Sequence, residues 1–290
     1  MKTVIITGSA RGFGYAMAKE FLINNCNVVI SDVNENELNM AYKKLSKINS
    51  NGKVYKYVLD ITDEIKVDSV INKMIKEVKT IDVWINNAGV SQNDKYFWEL
   101  NPKEINKLID IDLKGAMICT NKILPVMIKQ GFGQIYNVEG HGSNDALIDK
   151  LTLYGTAKRG ITYFTESLAH EVKKINNICV GKITPGIMIT NFLFHSLGDE
   201  EELYIDDRTK KIYNILGDYP ETIAKFMVSK IIKNNKNNVK FVWLTNKRAL
   251  FRFIKYIFIK RDLFKTDWQP LFFVILSIAL CPKRRKKKCH

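Results

Sequence analysis

Short β-branched runs alternate with helix-length segments along most of this chain, and that alternation limits the fold more than any other feature. "KTVIIT", "NVVIS", "KVYKYVL", "DVWIN", "GQIYNV", "NICVGKI" and "VKFVWL" read as seven strands, mostly too apolar for one face to meet water. Segments of helical period such as "GYAMAKEFLINN", "ENELNMAYKKLSKI", "KVDSVINKMIKEV" and "TLYGTAKRGITYFTESLAHEVKK" lie between them. The pattern predicts a parallel sheet covered on both faces, a doubly wound α/β fold of the Rossmann type. At 290 residues, 46% of them hydrophobic, the chain can hold one large domain and an appendage.

Charge locates the appendage. The formal net charge is +15, but residues 239–290 carry 14 Lys or Arg against Asp262 and Asp267, a net of +12, which leaves +3 for the rest. A nearly balanced body speaks against nucleic acid as a partner and sets a boundary near residue 245: a domain over 1–245 and a basic segment over 246–290. The five cysteines form no CxxC or Cys/His cluster, so neither a disulfide framework nor a metal site is expected. The chain enters a strand at residue 2 with no apolar leader ahead of it, which predicts a cytoplasmic location.

The first strand runs into "TGSARGFG", Thr7 to Gly14, and then into a helix. Gly8, Gly12 and Gly14 allow a tight turn, a close approach of backbone N–H groups to a pyrophosphate, and close packing of helix on sheet. The second strand ends at Asp32, 18 residues after Gly14, where a carboxylate can accept from both adenosine ribose hydroxyls and would repel a 2′-phosphate. NAD is therefore expected first. Arg11, beside the second glycine, could pair with a 2′-phosphate or be a solvated loop charge, so NADP stays open.

At this point the chain resembles the short-chain dehydrogenase/reductase family, over about residues 2–245. The matches come in the family's order: "TGSARGFG" at 7, "LDIT" with Asp60, "NNAG" at 86, "YGTAK" at 154 and "PGIMIT" at 185. The resemblance implies that Gly8, Ser9, Arg11, Gly12, Phe13 and Gly14 hold the pyrophosphate and Asp32 the ribose. Asp60 and Ile61 would border the adenine, Asn87, Ala88 and Gly89 the ribose region, and Pro185, Gly186, Ile187 and Thr190 the nicotinamide. It also implies a homodimer or homotetramer.

The chemistry asks for a Tyr and a Lys on its own terms. Hydride reduction of a carbonyl leaves an alkoxide that must gain a proton, and a phenol made more acidic by a nearby ammonium can supply it. Tyr154 and Lys158, at i and i+4, lie on one helix face, where Lys158 can lower the Tyr154 pKa and bond the nicotinamide ribose.

Two departures from the family pattern mark this chain. Most members carry a Ser about 13 residues before the Tyr, where His141 stands here; the nearest hydroxyl is Ser143, in "NVEGHGS". That variant resembles the branch of plant chlorophyll b reductases and their bacterial relatives, as do "GDYPETIAKFMV" and "VKFVWLTNKRAL" downstream. Ser143 could return to the usual Ser position as donor to the substrate oxygen, with His141 a competing donor, while Gly140 and Gly142 open space for a bulky substrate. Glu139 could serve the loop backbone or be exposed. The second departure is Asp112, where the family has an Asn that shapes a helix kink and a proton relay. Its carboxylate would either pair with Lys158 or perturb the Tyr154 pKa.

In "RALFRFIKYIFI", Arg248, Arg252 and Lys255 share one helical face, with Leu250, Phe253, Ile254, Ile257 and Phe258 on the other, as a membrane interface favours. The following "WQPLFFVILSIALC" is short of the ~20 residues that span a bilayer, and Lys283 to Lys288 suit anionic lipid. Together these features predict an NAD(P)-dependent oxidoreductase on the inner face of a membrane, peripheral or monotopic, interconverting a carbonyl and an alcohol on a bulky apolar substrate. That substrate is chlorophyll b by resemblance, or a lipid, sterol or 3-ketosphinganine-type ketone. The alternative is a catalytically idle dinucleotide sensor or scaffold.

Overall fold

The computed structural model describes residues 1–190 and 207–264. Seven parallel strands form one sheet: β1 (Thr3–Thr7), β2 (Asn27–Asp32), β3 (Val54–Val58), β4 (Val83–Asn86), β5 (Gly133–Val138), β6 (Ile178–Thr184) and β7 (Val239–Val242). Their order, β3-β2-β1-β4-β5-β6-β7, runs outward in both directions from β1 and β4. This reversal opens a crevice at the carboxyl ends of the central strands.

The helices are α1 (Gly12–Ile23), α2 (Glu35–Leu45), α3 (Glu64–Val78), α4 (Pro102–Ile109), α5 (Ala116–Gln130) and α6 (Thr152–Glu171). Beyond β6 come α7 (Asp207–Leu216), α8 (Pro220–Lys233) and α9 (Asn246–Phe258). Successive residues of a strand point to opposite faces, so each central strand feeds two cores. Val4, Ile6, Val28, Ile30 and Tyr136 pack on the side of α1, α2 and α8, while Ile5, Val29, Trp84 and Ile135 pack on the side of α3, α5 and α6. The alternation read from the sequence is thereby realised as two helical layers. The edge strands differ from expectation: β3 and β7 are half-exposed, because each has a neighbour on one side only.

Local chemistry sets the helix starts. Asn34, Asp63 and Thr245 accept N-terminal N–H groups of α2, α3 and α9, and Asn101 with Glu104 forms a capping box around Pro102. Between α4 and α5 the chain widens into a π-helical turn over Asp110–Gly115, a type of irregularity that often marks a functional site. Asp112 sits on that turn, buried.

Among the described residues no helix is long and apolar enough to cross a membrane. The apolar run 268–281 and the basic stretch 283–288 lie outside the described residues.

Candidate active site

A continuous cleft of about 2030 Å³ runs along the carboxyl ends of the strands, from the glycine-rich turn to the first turns of α6. Gly8, Arg11, Gly12, Phe13, Asp32, Asp60 and Ile61 line one half of it. Asn87, Ala88, Gly89, Tyr154 and Lys158 form the floor, and Pro185, Gly186, Ile187 and Thr190 close the far side.

The turn after β1 is clamped from the end of β4. Asn87 donates through Nδ2 to the carbonyls of Thr7 (3.0 Å) and Gly8 (2.8 Å), while Thr7 Oγ1 accepts from the N–H groups of Asn87 (3.0 Å) and Ala88 (3.1 Å). A Cβ on Gly14 would stand 2.5 Å from Asn87 Nδ2, so this glycine shapes the turn from behind without lining the cleft. Ser9 also acts from behind. Its hydroxyl is fully buried, donates to the Ile6 carbonyl (2.7 Å) and accepts from the Ser31 N–H (3.0 Å), stitching β1 to β2 and turning away from the cleft in which the resemblance placed it.

At the end of β2, Asp32 accepts from the N–H of Ala10 (3.3 Å) and of Asn34 (3.1 Å). Arg11 leans across to Glu37 at 3.2 Å on the cleft rim, so its charge is answered by a second carboxylate. Asp60 accepts from the Thr62 N–H (2.9 Å) and hydroxyl (2.7 Å), which turns the chain at the end of β3.

The catalytic pair predicted from spacing lies on the floor. Lys158 Nζ sits 5.4 Å from the Tyr154 ring centroid and 2.8 Å from Asp112 Oδ2. Asp112 Oδ1 accepts from the Val90 N–H at 2.7 Å, which ties the π-helical turn to the loop after β4. Both roles open to Asp112 are present: it pairs with Lys158 and raises the Tyr154 pKa. Burial works against the Lys158 ammonium, yet Asp112 and Tyr154 outweigh it and hold its pKa above the usual lysine value. For Tyr154, burial raises the pKa, Lys158 opposes the rise and Asp112 adds to it, with a net upward shift. Lys158 thus acts on the phenol in the expected direction, but burial, the largest influence, with Asp112 added to it, outweighs the ammonium.

The loop after β5 settles the position of Ser143. Gly142 adopts a φ of +90°, and a Cβ there would stand 2.5 Å from Gly155 Cα, so the loop backbone lies directly on α6. That turn buries Ser143, whose hydroxyl donates to the Lys158 carbonyl (3.3 Å) and accepts from the Gly140 N–H (3.3 Å). Ser143 therefore stands behind the wall of the cleft, contrary to its expected place beside the substrate oxygen. His141 lines the cleft instead. Burial lowers the pKa of its ring, partly offset by a hydrogen bond to the Ala146 backbone.

Glu139 is neither a loop clamp nor exposed. Its buried carboxylate accepts from Thr162 Oγ1 (2.9 Å) and Thr184 Oγ1 (2.6 Å) and pairs with Lys240 Nζ (2.8 Å), joining β5, α6, β6 and β7 at the wall of the cleft. Other supports escaped the motif reading. Gln92, also buried, accepts the Tyr154 N–H (3.1 Å) and so fixes the first turn of α6. A buried chain runs from Asn86 Nδ2 to Asn137 Oδ1 (2.7 Å) and from Asn137 Nδ2 to Thr165 Oγ1 (2.8 Å), locking β4 and β5 to α6. Amides inside the apolar strands β4 and β5 and a buried hydroxyl on α6 are the sequence signal for that network.

The basic appendage docks in an unexpected sense. Arg252 and Arg261 converge on buried Asp218, which also accepts from Trp243 Nε1 (2.6 Å), and Arg248 stacks 3.9 Å from the Trp243 ring centroid. The Arg248–Arg252 face of α9 thus turns inward, and the apolar face turns to solvent: Leu250 is 63% exposed, Ile257 74% and Phe258 80%. Asp218 in turn bonds the backbone of Ile187 and Ile189 on the cleft wall.

A doubly wound sheet with a glycine-rich first turn and a Tyr-Lys pair in the cleft at the switch point defines a dinucleotide-fold oxidoreductase class. Residues 2–201 match the family model described as short chain dehydrogenase, and the chain belongs to that family. It is 28% identical over 271 residues to the probable chlorophyll(ide) b reductase NYC1, chloroplastic, of Arabidopsis thaliana, covering 87% of this chain and 52% of that protein. It is 31% identical over 232 residues to chlorophyll(ide) b reductase NOL, chloroplastic, of Oryza sativa subsp. japonica, covering 79% and 66%. The chain thus spans about half to two thirds of the length of these relatives. The crystal structure of levodione reductase superposes with a TM-score of 0.77 at 22% identity, covering 86% of this chain and 98% of that one.

Proposed function

We propose that this chain is an NAD(P)-dependent oxidoreductase that interconverts a carbonyl and an alcohol on a bulky apolar substrate at the face of a membrane. The observation that carries the reading is half-buried Tyr154 beside buried Lys158 on the floor of a cleft continuous with the glycine-rich turn. The cleft fits a dinucleotide: Gly12 lines it at the first turn of α1, and a Cβ there would meet nothing within 4 Å, which leaves the helix N-terminus open to a pyrophosphate. Asp32 and Glu37 give the adenosine end two carboxylates, which supports NAD over NADP.

A bound nicotinamide supplies the hydride. Tyr154 holds the proton: its raised pKa keeps the phenol protonated at neutral pH, as an acid must be to protonate an alkoxide. Lys158 bonds the ribose and stabilises the phenolate left behind, while Asp112 fixes its ammonium. The retained pair speaks against an idle sensor or scaffold.

The substrate wall carries Val90, Ile111, Leu151, Met188 and Tyr213, which favours an apolar molecule. The relatives named for chlorophyll(ide) b support a large ring as one candidate, and a lipid, sterol or 3-ketosphinganine-type ketone suits the same wall. Attachment is through 246–290, where the outward apolar face of α9 is flanked by exposed Lys247, Lys255 and Lys260. Exposed Met117, Ile128 and Tyr163 on α5 and α6 favour a homo-oligomer.

The test is oxidation of NADH and NADPH with a panel of apolar ketones and aldehydes in detergent, wild type against Tyr154→Phe. Turnover lost in the variant supports the reading; cofactor binding without turnover in every case supports a sensor. Flotation with anionic liposomes, before and after truncation at residue 246, tests attachment. Equal flotation would end the membrane part.

A further inference from the structure

Residues 185–190 close the cleft beyond β6 with no strand or helix of their own, so their placement is set by what they bind. The Ile187 carbonyl accepts from the Asp218 N–H (3.1 Å) and the Ile189 N–H donates to the Asp218 carbonyl (3.2 Å), an isolated parallel bridge. The wall stands where Asp218 stands.

Asp218 follows the C-terminus of α7, where the last carbonyls of a helix lack partners within it and carry partial negative charge. Two arginines from beyond β7 answer both the carbonyls and the carboxylate. Arg252, on α9, donates to the Leu216 carbonyl (2.7 Å) and pairs with Asp218 Oδ2. Arg261 donates to the carbonyls of Asn214 (2.7 Å, through Nε) and Gly217, and to Asp218 Oδ1 (3.3 Å). A planar guanidinium can hold several such acceptors in one fixed geometry. With the Asp218 side chain 9% exposed and that of Arg252 16%, the pair is largely sheltered from solvent, where loss of one partner is felt most.

The same segment also reaches the wall directly. Buried Leu263 packs with Ile189 beside Tyr213, its N–H donates to Asn214 Oδ1 (2.7 Å), and its carbonyl accepts from Tyr219 Oη (3.0 Å). Tyr213 and Tyr219 line the cleft, whereas neither arginine does.

We infer that Arg252 and Arg261 are positioning residues for the nicotinamide end of the cleft, acting through Asp218 on residues 187–189. Under the dinucleotide reading above, on which this step rests, residues 246–264 do more than attach the chain. They complete the wall against which the nicotinamide lies, although they fall beyond the stretch 2–201 that matches the family model.

The test compares NADH with ADP-ribose, which keeps the adenosine and both phosphates but lacks the nicotinamide, by equilibrium titration of the full chain. NADPH with 2′-phospho-ADP-ribose takes their place if NADPH binds more tightly. In the double variant Arg252→Met, Arg261→Met the Kd of the dinucleotide should rise by about tenfold, within the usual range of coupling between two sites. The Kd of the ADP-ribose compound should stay as in wild type. A general loss of stability would move both alike, so an equal rise in the two, or no rise in either, overturns the assignment. Should the double variant fail to fold, Arg261→Met alone, at the more exposed of the two side chains, carries the same expected split. Hydrogen exchange at the Ile189 amide supplies an arm free of any ligand: it should quicken in the variant while exchange in β1 does not, and an unchanged Ile189 overturns the assignment as well. If wild type binds neither the dinucleotides nor the ADP-ribose compounds, the oxidoreductase reading fails, and the Ile189 amide still decides whether the arginines hold the wall.

Discussion

Asp112 Oδ2 lies 2.8 Å from Lys158 Nζ with both side chains buried, so the cation that would acidify Tyr154 is shared with a carboxylate. Burial and Asp112 together hold the phenol above its usual range, with Lys158 opposing. Reduction, which needs the protonated phenol, should therefore persist to alkaline pH. Oxidation, which needs the phenolate, should rise late. Asp112→Asn removes one cause of the upward shift, so the alkaline limb of both profiles should move to lower pH while activity is retained. pH-rate profiles in the two directions check this; superimposable curves would show that Asp112 does not set the phenol's acidity.

Gly140 is a steric guard of the same hydroxyl. A Cβ there would stand 2.2 Å from Tyr154 Oη, so Gly140→Ala must push the phenol aside. A displacement of about 1 Å can cost on the order of 10²-fold in rate. We expect that loss in kcat with dinucleotide affinity and melting temperature nearly unchanged, measured by steady-state kinetics, fluorescence titration and calorimetry.

Glu139 and Lys240 form a pair with the carboxylate buried and the ammonium about one-third exposed. Lys240→Met strands the carboxylate among Thr162 and Thr184, and the partial exposure of Lys240 places the cost at about 1–3 kcal/mol, below that of a fully buried pair. Urea unfolding should show it as a lower midpoint with an unchanged slope. A wild-type midpoint would mean that solvent already screens the pair.

Cofactor choice should respond to the two carboxylates at the adenosine end. Asp32→Ser removes the ribose acceptor and Glu37→Gln frees Arg11 for a 2′-phosphate. Each should move the NADPH to NADH ratio of kcat/KM upward, by about tenfold for Asp32→Ser. No change in either variant would place the adenosine ribose elsewhere.

Asp218 fastens α9 to the cleft wall through Arg252, Arg261 and Trp243. Asp218→Ala should raise hydrogen exchange over residues 246–258 while leaving exchange in β1 and β4 unchanged. If the helix stays as protected as before, its attachment rests on the stacking of Arg248 on Trp243.

The sheet, its seven strands, the cleft end and the Tyr-Lys spacing are legible in the sequence, because each depends on short-range pattern: short β-branched apolar runs, a glycine-rich turn, an i to i+4 spacing. Asp32 was readable for the same reason, standing where a strand must end. Tertiary structure alone decided what depends on where a loop or helix turns in space. Ser9 and Ser143 look like ligand groups in one dimension, yet Ser9 is drawn into the sheet by the turn after β1 and Ser143 is buried by the left-handed turn at Gly142. His141, between two glycines, gave no sign of the buried, unpaired nitrogen it presents. On α9 the helical period separated basic from apolar residues correctly, but which face turns inward was settled by Asp218, 34 residues from Arg252 along the chain. Pattern assigns residues to faces, and only long-range partners, by neutralising or burying charge, decide which face the fold keeps.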